Sequence, residues 1–138
     1  MAGVLVQGLT MNRKIVSTDA APKAVGPYSQ AVWAGDLLFC AGQIPLDPAT
    51  GQVVPGGVVE QTVRVLENLR AVLVSQGLDL ANIVKTTVFV ADLNHFTALN
   101  EVYARYFTGD FPARSTVQVA RLPKDALVEI EAVAIRDL

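Results

Sequence analysis

The apolar residues of this chain switch repeatedly between a strand-like and a helix-like period, and that alternation restricts the folds open to it. Residues 58–76 and 94–107 carry the three-and-four spacing of amphipathic helices. The remaining apolar runs are short, alternating or β-branched, as strands are. They cover residues 14–18, 28–34, 37–44, 83–91, 114–122 and 127–136. This order predicts an α+β domain, β-β-β-α-β-α-β-β, with a single sheet and two helices on one face.

Local signals support several of these elements. Gly35-Asp36 lies between two apolar runs and predicts a hairpin. Glu60 lies near the start of the first helix and Gly77 just beyond its end, which suits the helix dipole and the C-terminal cap. Asn94 is a good N-cap for the second helix.

The last two strand segments are separated by Pro123-Lys124-Asp125-Ala126. A loop of that length would pair them as an antiparallel hairpin with apolar residues opposite apolar residues. In that pairing Arg114 and Thr116 share a sheet face with Glu129. We therefore expect a guanidinium and a carboxylate from neighbouring strands on one polar face, opposite the helices and available to a partner subunit and a pocket.

Composition excludes several classes of protein. The chain has 138 residues, 51% of them hydrophobic and 17% charged, which suits one well-packed domain and not a disordered one. So few charges leave apolar surface to cover, so we expect self-association. Eleven basic against thirteen acidic residues give a net charge of -2, which argues against a nucleic-acid partner. No apolar run is long enough to span a membrane.

A single cysteine, Cys40, and a single histidine, His95, restrict the available chemistry. They cannot form an intramolecular disulfide or a structural zinc site with four Cys or His ligands. No G-x-S-x-G turn or glycine-rich phosphate loop is present. Catalysis is left to Arg, Lys, Glu, Asp, Tyr and backbone groups, and we expect no metal and no cofactor.

Residues 1–10 lack the basic segment and cleavage site of a secretory signal. We interpret them as a mobile N-terminal extension and residues 11–138 as a single domain. In the absence of a targeting signal, the cytoplasm is the expected location.

Two charged residues are the main candidates for a site. Arg114 opens a strand after Phe-Pro-Ala. It is either a solvated edge charge or a planar fork that binds a carboxylate or phosphate at two points. Glu129 lies mid-strand between hydrophobic neighbours. It is either a solvent-facing or Arg-paired acid, or a partly desolvated general acid/base with a raised pKa.

Other residues are weaker candidates for a functional site. Tyr28 is either a hydroxyl donor at a pocket mouth or a packing residue. Asn100 lies mid-helix, where Asn is unfavourable, which suggests a specific hydrogen bond. We expect His95 to be an exposed surface histidine, Cys40 a buried thiol and Lys85 an outward-pointing lysine.

Several separate motifs, in one order, are similar to those of the RidA (YjgF-type) imine deaminases. The resemblance runs from about Met11 to the C-terminus. Its motifs are Ala21-Pro22-x-Ala-x-Gly26-Pro27-Tyr28-Ser29-Gln30-Ala31, Ala41-Gly42-Gln43-Ile44-Pro45-Leu46-Asp47-Pro48, Phe111-Pro112-Ala113-Arg114-Ser115, Val119-Ala120-Arg121-Leu122-Pro123 and Glu129-Ile130-Glu131.

This resemblance implies a chorismate-mutase-like fold and a homotrimer with clefts between subunits. It also implies cofactor-free hydrolysis of 2-imino or enamino acids, such as 2-iminobutanoate and 2-iminopropanoate, to 2-oxo acids and ammonia. By motif, Arg114 matches the arginine that binds the substrate carboxylate, and Glu129 matches the acid that holds or activates water. The implied pocket lining is Tyr28, the backbone around Gly42, Asn100 and the backbone at Thr116. Ala41 and Thr116 stand where many members have Ser and Cys.

The chemistry is compatible with this assignment because an iminium carbon is already electrophilic and needs no nucleophilic side chain. A site for it has only to orient a small acid and a water molecule. Two other classes stay open: a non-catalytic trimeric protein that binds small acids, and a structural or interaction protein or ribonuclease. The presence of both Arg114 and Glu129 favours turnover, since a binder of carboxylates alone has no use for a nearby acid.

Overall fold

The computed structural model describes residues 4–6 and 9–137. Its strands are β1 (Val4–Val6), β2 (Leu9–Met11), β3 (Arg13–Val16), β4 (Ala31–Ala34), β5 (Leu37–Gln43), β6 (Ile83–Val90), β7 (Ala113–Gln118) and β8 (Val128–Ile135). Its α-helices are α1 (Val58–Val74) and α2 (Phe96–Tyr106). Short 3₁₀ turns cover Leu80–Asn82, Leu93–His95 and Pro123–Asp125. The α+β class and the predicted order of elements from β3 onward are confirmed.

The N-terminal segment adds one feature to the predicted order. β1 and β2 form an antiparallel pair of their own, separate from the main sheet. The expected mobile extension, residues 1–10, lies partly outside the described residues. Its mobility stays a prediction.

The hairpin and the first helix form where the local sequence signals predict them. β4 and β5 pair antiparallel across Gly35-Asp36, with Gly35 at φ +58°, a conformation that glycine adopts without strain. The Glu60 carboxylate accepts a hydrogen bond from the Gly57 amide at the start of α1 (2.8 Å). Gly77, at φ +76°, follows the end of the helix.

Two details of the helices differ from expectation. Asp92, and not Asn94, supplies the cap before α2: its carboxylate accepts a hydrogen bond from the Asn94 amide (2.9 Å). A 3₁₀ turn at Leu93–His95 therefore precedes α2, which begins at Phe96. In α1, Val59 is exposed, although the three-and-four spacing of residues 58–76 predicts it on the buried stripe of the helix.

The main sheet has the strand order β3-β4-β5-β8-β6-β7, parallel between β6 and β7 and antiparallel elsewhere. The fully buried side chains of α1 pack with those of β8 in one core. They include Val65, Leu66, Leu69, Val128 and Ile130. The two helices thus cover one face of the sheet, as predicted. Within the described residues no helix has the length and apolar character needed to cross a membrane.

The predicted hairpin between the last two strands is wrong. β6 lies between β7 and β8, and residues 119–127 form the connection that crosses it. Pro123–Asp125 coils into a 3₁₀ turn in this connection instead of closing a hairpin. β8 alternates buried apolar residues with outward ones and takes a central position with two neighbours. The more polar β7 forms the edge of the sheet.

The open face of the sheet is also less polar than expected. One row of side chains across four strands consists of Ile15, Val32, Phe39 and Val133. Ile15 is 50% exposed and Phe39 is 47% exposed. A row of exposed apolar side chains on one sheet face is a candidate interaction surface.

Candidate active site

Glu129 lies on the open face of the sheet, and Arg114 lies on the face covered by the helices. The register shows this directly. Residues that are opposite each other on neighbouring strands share a sheet face. Arg114 is opposite Thr86, and Thr86 is opposite Ala132, which is buried under the helices. Glu129 is opposite Phe89, on the other face of the sheet. The expectation that both charges share one face is therefore wrong, because it assumed that β7 and β8 are neighbours.

Glu129 belongs to a groove of about 430 Å³ that we call the acid groove. Tyr28, Gly42 and Glu129, three of the predicted site residues, all line it. Its other lining residues include Pro22, Lys23, Val25, Ala41, Ile44, Leu46 and Lys124. Three loops and the distorted end of β5 thus converge on one carboxylate.

The Glu129 side chain packs directly on the backbone of Gly42. A Cβ atom at position 42 would collide with one carboxylate oxygen of Glu129 and would lie 2.8 Å from its Cδ. The β5–β8 register shifts between Cys40 and Gln43, so the chain leaves the regular ladder at this point. The absence of a side chain at Gly42 therefore makes the space that the carboxylate occupies.

Burial raises the pKa of Glu129 above its ordinary value, and the charge of Glu131 raises it further. Glu129 is half-buried, and within the described part of the chain it forms no ion pair and no side-chain hydrogen bond. A carboxyl group in this state takes up and releases protons closer to neutral pH than a solvated one, as a general acid/base requires.

Tyr28 stands at the mouth of the acid groove. The turn at Gly26-Pro27 places it there, with the Tyr28 amide donating to the Gly26 carbonyl (2.8 Å). Its hydroxyl accepts a long hydrogen bond from the Val25 amide (3.4 Å) and its side chain is 53% exposed. Among the described residues this hydroxyl has no acceptor, so its proton is available to a ligand.

Arg114 borders a second hollow, of about 320 Å³, that we call the arginine hollow. It lies between α2 and β7. Its lining residues are Asn100, Tyr103, Ala104, Phe111, Pro112 and Arg114. Two predicted site residues, Asn100 and Arg114, are thus brought together.

The guanidinium of Arg114 rests on aromatic rings. Its Cζ lies 4.8 Å from the ring centroid of Tyr103 and 5.4 Å from that of Phe96. No carboxylate within the described residues forms an ion pair with it. A planar cation held in this way keeps its N–H donors for an added carboxylate.

Two polar atoms near this cation lack partners. Asn100 Oδ1 and Thr116 Oγ1 are buried and have no hydrogen-bond partner among the described residues. Thr116 is two residues from Arg114 on the same face of β7, although it does not line the hollow. Buried polar atoms are usually bonded, so Asn100 and Thr116 are candidates for contact with a ligand.

The aromatic support of Arg114 was not predicted. Phe96, Asn100 and Tyr103 are spaced by four and three residues, so they share one face of α2. The three-and-four spacing of residues 94–107 predicts only that the two aromatic residues pack on the apolar stripe of this helix. The asparagine between them was the sequence signal that this face borders a site.

Three other candidates lie outside both hollows. Cys40 is buried, which raises its pKa to about 12 and makes it inert, as predicted. Lys85 points outward and donates a hydrogen bond to Ser115 (3.2 Å), also as predicted. His95 is part-buried instead of exposed, and its Nδ1 has no partner in the described residues. Within those residues no group of three or more His, Cys, Asp and Glu side chains is arranged to hold a metal ion.

Comparison with known proteins identifies the family. Residues 18–136 match the family model described as Endoribonuclease L-PSP, the model of the YjgF and RidA proteins. The chain belongs to the RidA family. The predicted family resemblance is thereby confirmed.

Individual RidA relatives match over most of their length. Protein DfrA of Myxococcus xanthus is 57% identical over 127 residues, which cover 91% of this chain and 97% of DfrA. A mouse protein named 2-iminobutanoate/2-iminopropanoate deaminase is 52% identical over 124 residues, or 90% of this chain and 92% of its own. The structure of Escherichia coli TdcF with bound serine is 49% identical, with a TM-score of 0.86, and covers 90% of this chain and 99% of TdcF.

Proposed function

We propose that this protein hydrolyses small 2-imino and enamino acids, such as 2-iminobutanoate and 2-iminopropanoate, to 2-oxo acids and ammonia. The observation that carries the proposal is the guanidinium of Arg114, which has no ion-pair partner in the described part of the chain, in a largely apolar hollow beside the amide oxygen of Asn100, which has no hydrogen-bond partner there. Relatives at about half identity bear the corresponding deaminase name, which supports the same chemistry.

In the reaction, Arg114 binds the substrate carboxylate through two N–H donors and fixes the position of the iminium carbon. Glu129 removes a proton from a water molecule, whose oxygen forms a bond to that carbon. The proton passes from Glu129 to the nitrogen of the resulting amino alcohol. The C–N bond then breaks with its electrons going to nitrogen, Glu129 takes the proton of the hydroxyl as the carbonyl forms, and ammonia leaves.

A homotrimer with sites between subunits reconciles this mechanism with the fold. Arg114 and Glu129 of one chain lie on opposite faces of its sheet, so one copy does not bring them to the same substrate. Contact between copies places the arginine hollow of one subunit against the acid groove of the next. The apolar row of Ile15, Val32, Phe39 and Val133 supplies surface for that contact.

The test is release of 2-oxobutanoate from 2-iminobutanoate made in the cuvette by an amino-acid oxidase with catalase. Semicarbazide gives the same semicarbazone with the imine and with the oxo acid but reacts faster with the imine, so the initial rate of semicarbazone formation falls when an enzyme hydrolyses the imine first. Wild type should lower this initial rate, and Arg114→Ala should return it to the enzyme-free value. Arg70→Gln removes a cation that is paired with Asp79, outside both hollows, and should act as wild type.

A second candidate function is binding of small acids without turnover. The serine bound to TdcF, at 49% identity, favours it. Serine and 2-oxobutanoate should then bind wild type and not Arg114→Ala in calorimetric titration, while the imine assay stays at the enzyme-free value.

A further inference from the structure

Tyr103 and Thr86 form a buried support under Arg114. The Tyr103 hydroxyl and Thr86 Oγ1 are 2.7 Å apart, and the Tyr103 ring centroid is 4.8 Å from the guanidinium carbon. We propose that Tyr103, locked by its hydrogen bond to Thr86, is a positioning residue that aims the guanidinium of Arg114 at the substrate carboxylate. This inference rests on the proposed function, and it adds two residues that the sequence did not single out.

Strand register makes the support rigid. Thr86 on β6 is directly opposite Arg114 on β7 in the parallel ladder. Thr86 is fully buried and Tyr103 is 4% exposed. Phe107 packs on Tyr103 with 4.7 Å between ring centroids. The ring is therefore fixed by a hydrogen bond at its hydroxyl and by packing along its side, and the cation above it is fixed in turn.

A ring suits this role better than a carboxylate would. A carboxylate would neutralise the guanidinium and occupy the N–H donors that the substrate needs. The face of an aromatic ring attracts the cation through its quadrupole and leaves the N–H donors of Arg114 available to the substrate. Burial also raises the pKa of Tyr103, so its phenol stays neutral and does not become a competing anion.

The hydrogen bond to Thr86 gives the proposal its specific test. Thr86→Val keeps the volume of the side chain and removes the hydroxyl, and Thr86→Ser keeps the hydroxyl. Tyr103→Phe keeps the ring and removes its anchor, and Tyr103→Leu removes the ring. Tyr106→Phe is the matched control because it removes a phenol on the same helix that bonds Glu67 (2.8 Å), outside the arginine hollow.

We expect Tyr103→Leu to raise both the Kd for 2-oxobutanoate and the KM for the imine about tenfold, as loss of a partly desolvated cation–π contact does. The kcat should change less than about twofold, because the lost contact acts on binding. Thr86→Val and Tyr103→Phe should each give a smaller rise in Kd, and the double variant no more than either. Thr86→Ser should restore wild-type binding, and Tyr106→Phe should not alter it.

A second readout does not depend on catalysis. The ring current of Tyr103 shifts the Nε–H resonance of Arg114 in ¹H–¹⁵N spectra, and this resonance is identified by its loss in Arg114→Ala. It should move in Tyr103→Leu and Thr86→Val but not in Tyr106→Phe. Folding of every variant is checked by its unfolding transition.

Unchanged Kd, KM and Arg114 resonance in folded Thr86→Val and Tyr103→Phe would overturn the positioning role, even with wild type active. Absence of imine hydrolysis by wild type would instead refute the proposed function. In that case the resonance shifts and the Kd for 2-oxobutanoate still decide whether Tyr103 orients Arg114.

Discussion

Arg114 and Glu129 project from opposite faces of the same sheet, and β6 separates their strands. The arginine lies on the helix side, against Tyr103, and the glutamate lies on the open side, against Gly42. Under the proposed function, each residue supplies half of a site that two copies of the chain complete. A reaction that needs both requires two copies of the chain, which leads to the first prediction.

Mixed oligomers should recover activity that neither parent has. In an Arg114→Ala chain the acid groove is intact, and in a Glu129→Gln chain the arginine hollow is intact. After unfolding and refolding together in equal amounts, about a quarter of the sites should combine two intact halves if each site lies between neighbouring copies. The measurement is imine hydrolysis per total subunit, compared with wild type treated in the same way.

A second mixture serves as the control for the first. Wild type refolded with the Arg114→Ala/Glu129→Gln double variant should keep about a quarter of full activity if sites are shared between copies, and about half if each copy holds a complete site. No recovery in the first mixture, together with half activity in the second, would contradict the shared site.

The pH dependence of hydrolysis should report Glu129 and its neighbour Glu131. The pKa of Glu129 is raised above 4.5, first by burial and then by the negative charge of Glu131. As a base, Glu129 must be deprotonated, so kcat/KM should fall as pH drops through this raised pKa. Glu131→Gln removes a repelling charge and should shift this fall of kcat/KM to lower pH. Glu129→Gln should abolish the fall, and it should lower kcat more than it weakens the binding of 2-oxobutanoate.

Glu129 should also make the stability of the protein depend on pH, but stability should fall with rising pH where activity increases. Because the pKa of Glu129 is higher in the folded protein than in the unfolded chain, the folded state holds its proton more tightly over the interval between the two values. The free energy of unfolding should therefore decrease as pH rises through that interval. Denaturant titrations at several pH values should show that this part of the decrease is absent in Glu129→Gln. If the free energy of unfolding depends on pH in the same way in Glu129→Gln and in wild type, the raised pKa is contradicted.

Gly42→Ala should disable the acid groove without unfolding the protein. The new Cβ would lie 2.8 Å from Glu129 Cδ, so the carboxylate has to leave its position. We expect kcat/KM to fall at least about tenfold, since a misplaced catalytic group of this kind costs up to about a hundredfold. Gly57→Ala is the control, because its Cβ meets nothing nearer than 4.0 Å, and it should retain activity.

Thr62→Val should stabilise the protein. Thr62 is fully buried in α1, and its hydroxyl has no hydrogen-bond partner among the described residues. Replacing an unsatisfied buried hydroxyl by a methyl group should raise the free energy of unfolding by about 1 kcal/mol. Thr86→Val is the matched comparison with the opposite expected sign. It leaves the buried Tyr103 hydroxyl without its hydrogen-bond partner and should lower the free energy of unfolding by about 1–3 kcal/mol. Equal effects of the two changes in urea unfolding would refute this reasoning.

Five residues that the sequence predicted for a site line the two hollows. Tyr28, Gly42 and Glu129 line one groove, and Asn100 and Arg114 line the other. Their grouping into two halves was not foreseen, because it depends on which strands are neighbours. Tyr103 was missed for a related reason: a tyrosine on an apolar stripe has the same pattern whether it fills the core or supports a cation.

The sequence by itself determined the features that depend on residues close together in the chain. The turn at Gly35-Asp36 and the helix signals at Glu60 and Gly77 act over a few residues, so their outcome follows from local chemistry. Only the tertiary structure decided that β8 enters the sheet between β5 and β6. That choice depends on burying the apolar pleat of β8 under α1 with a neighbour on each side, a contact between distant segments that no local pattern encodes. It also set Arg114 and Glu129 on opposite faces.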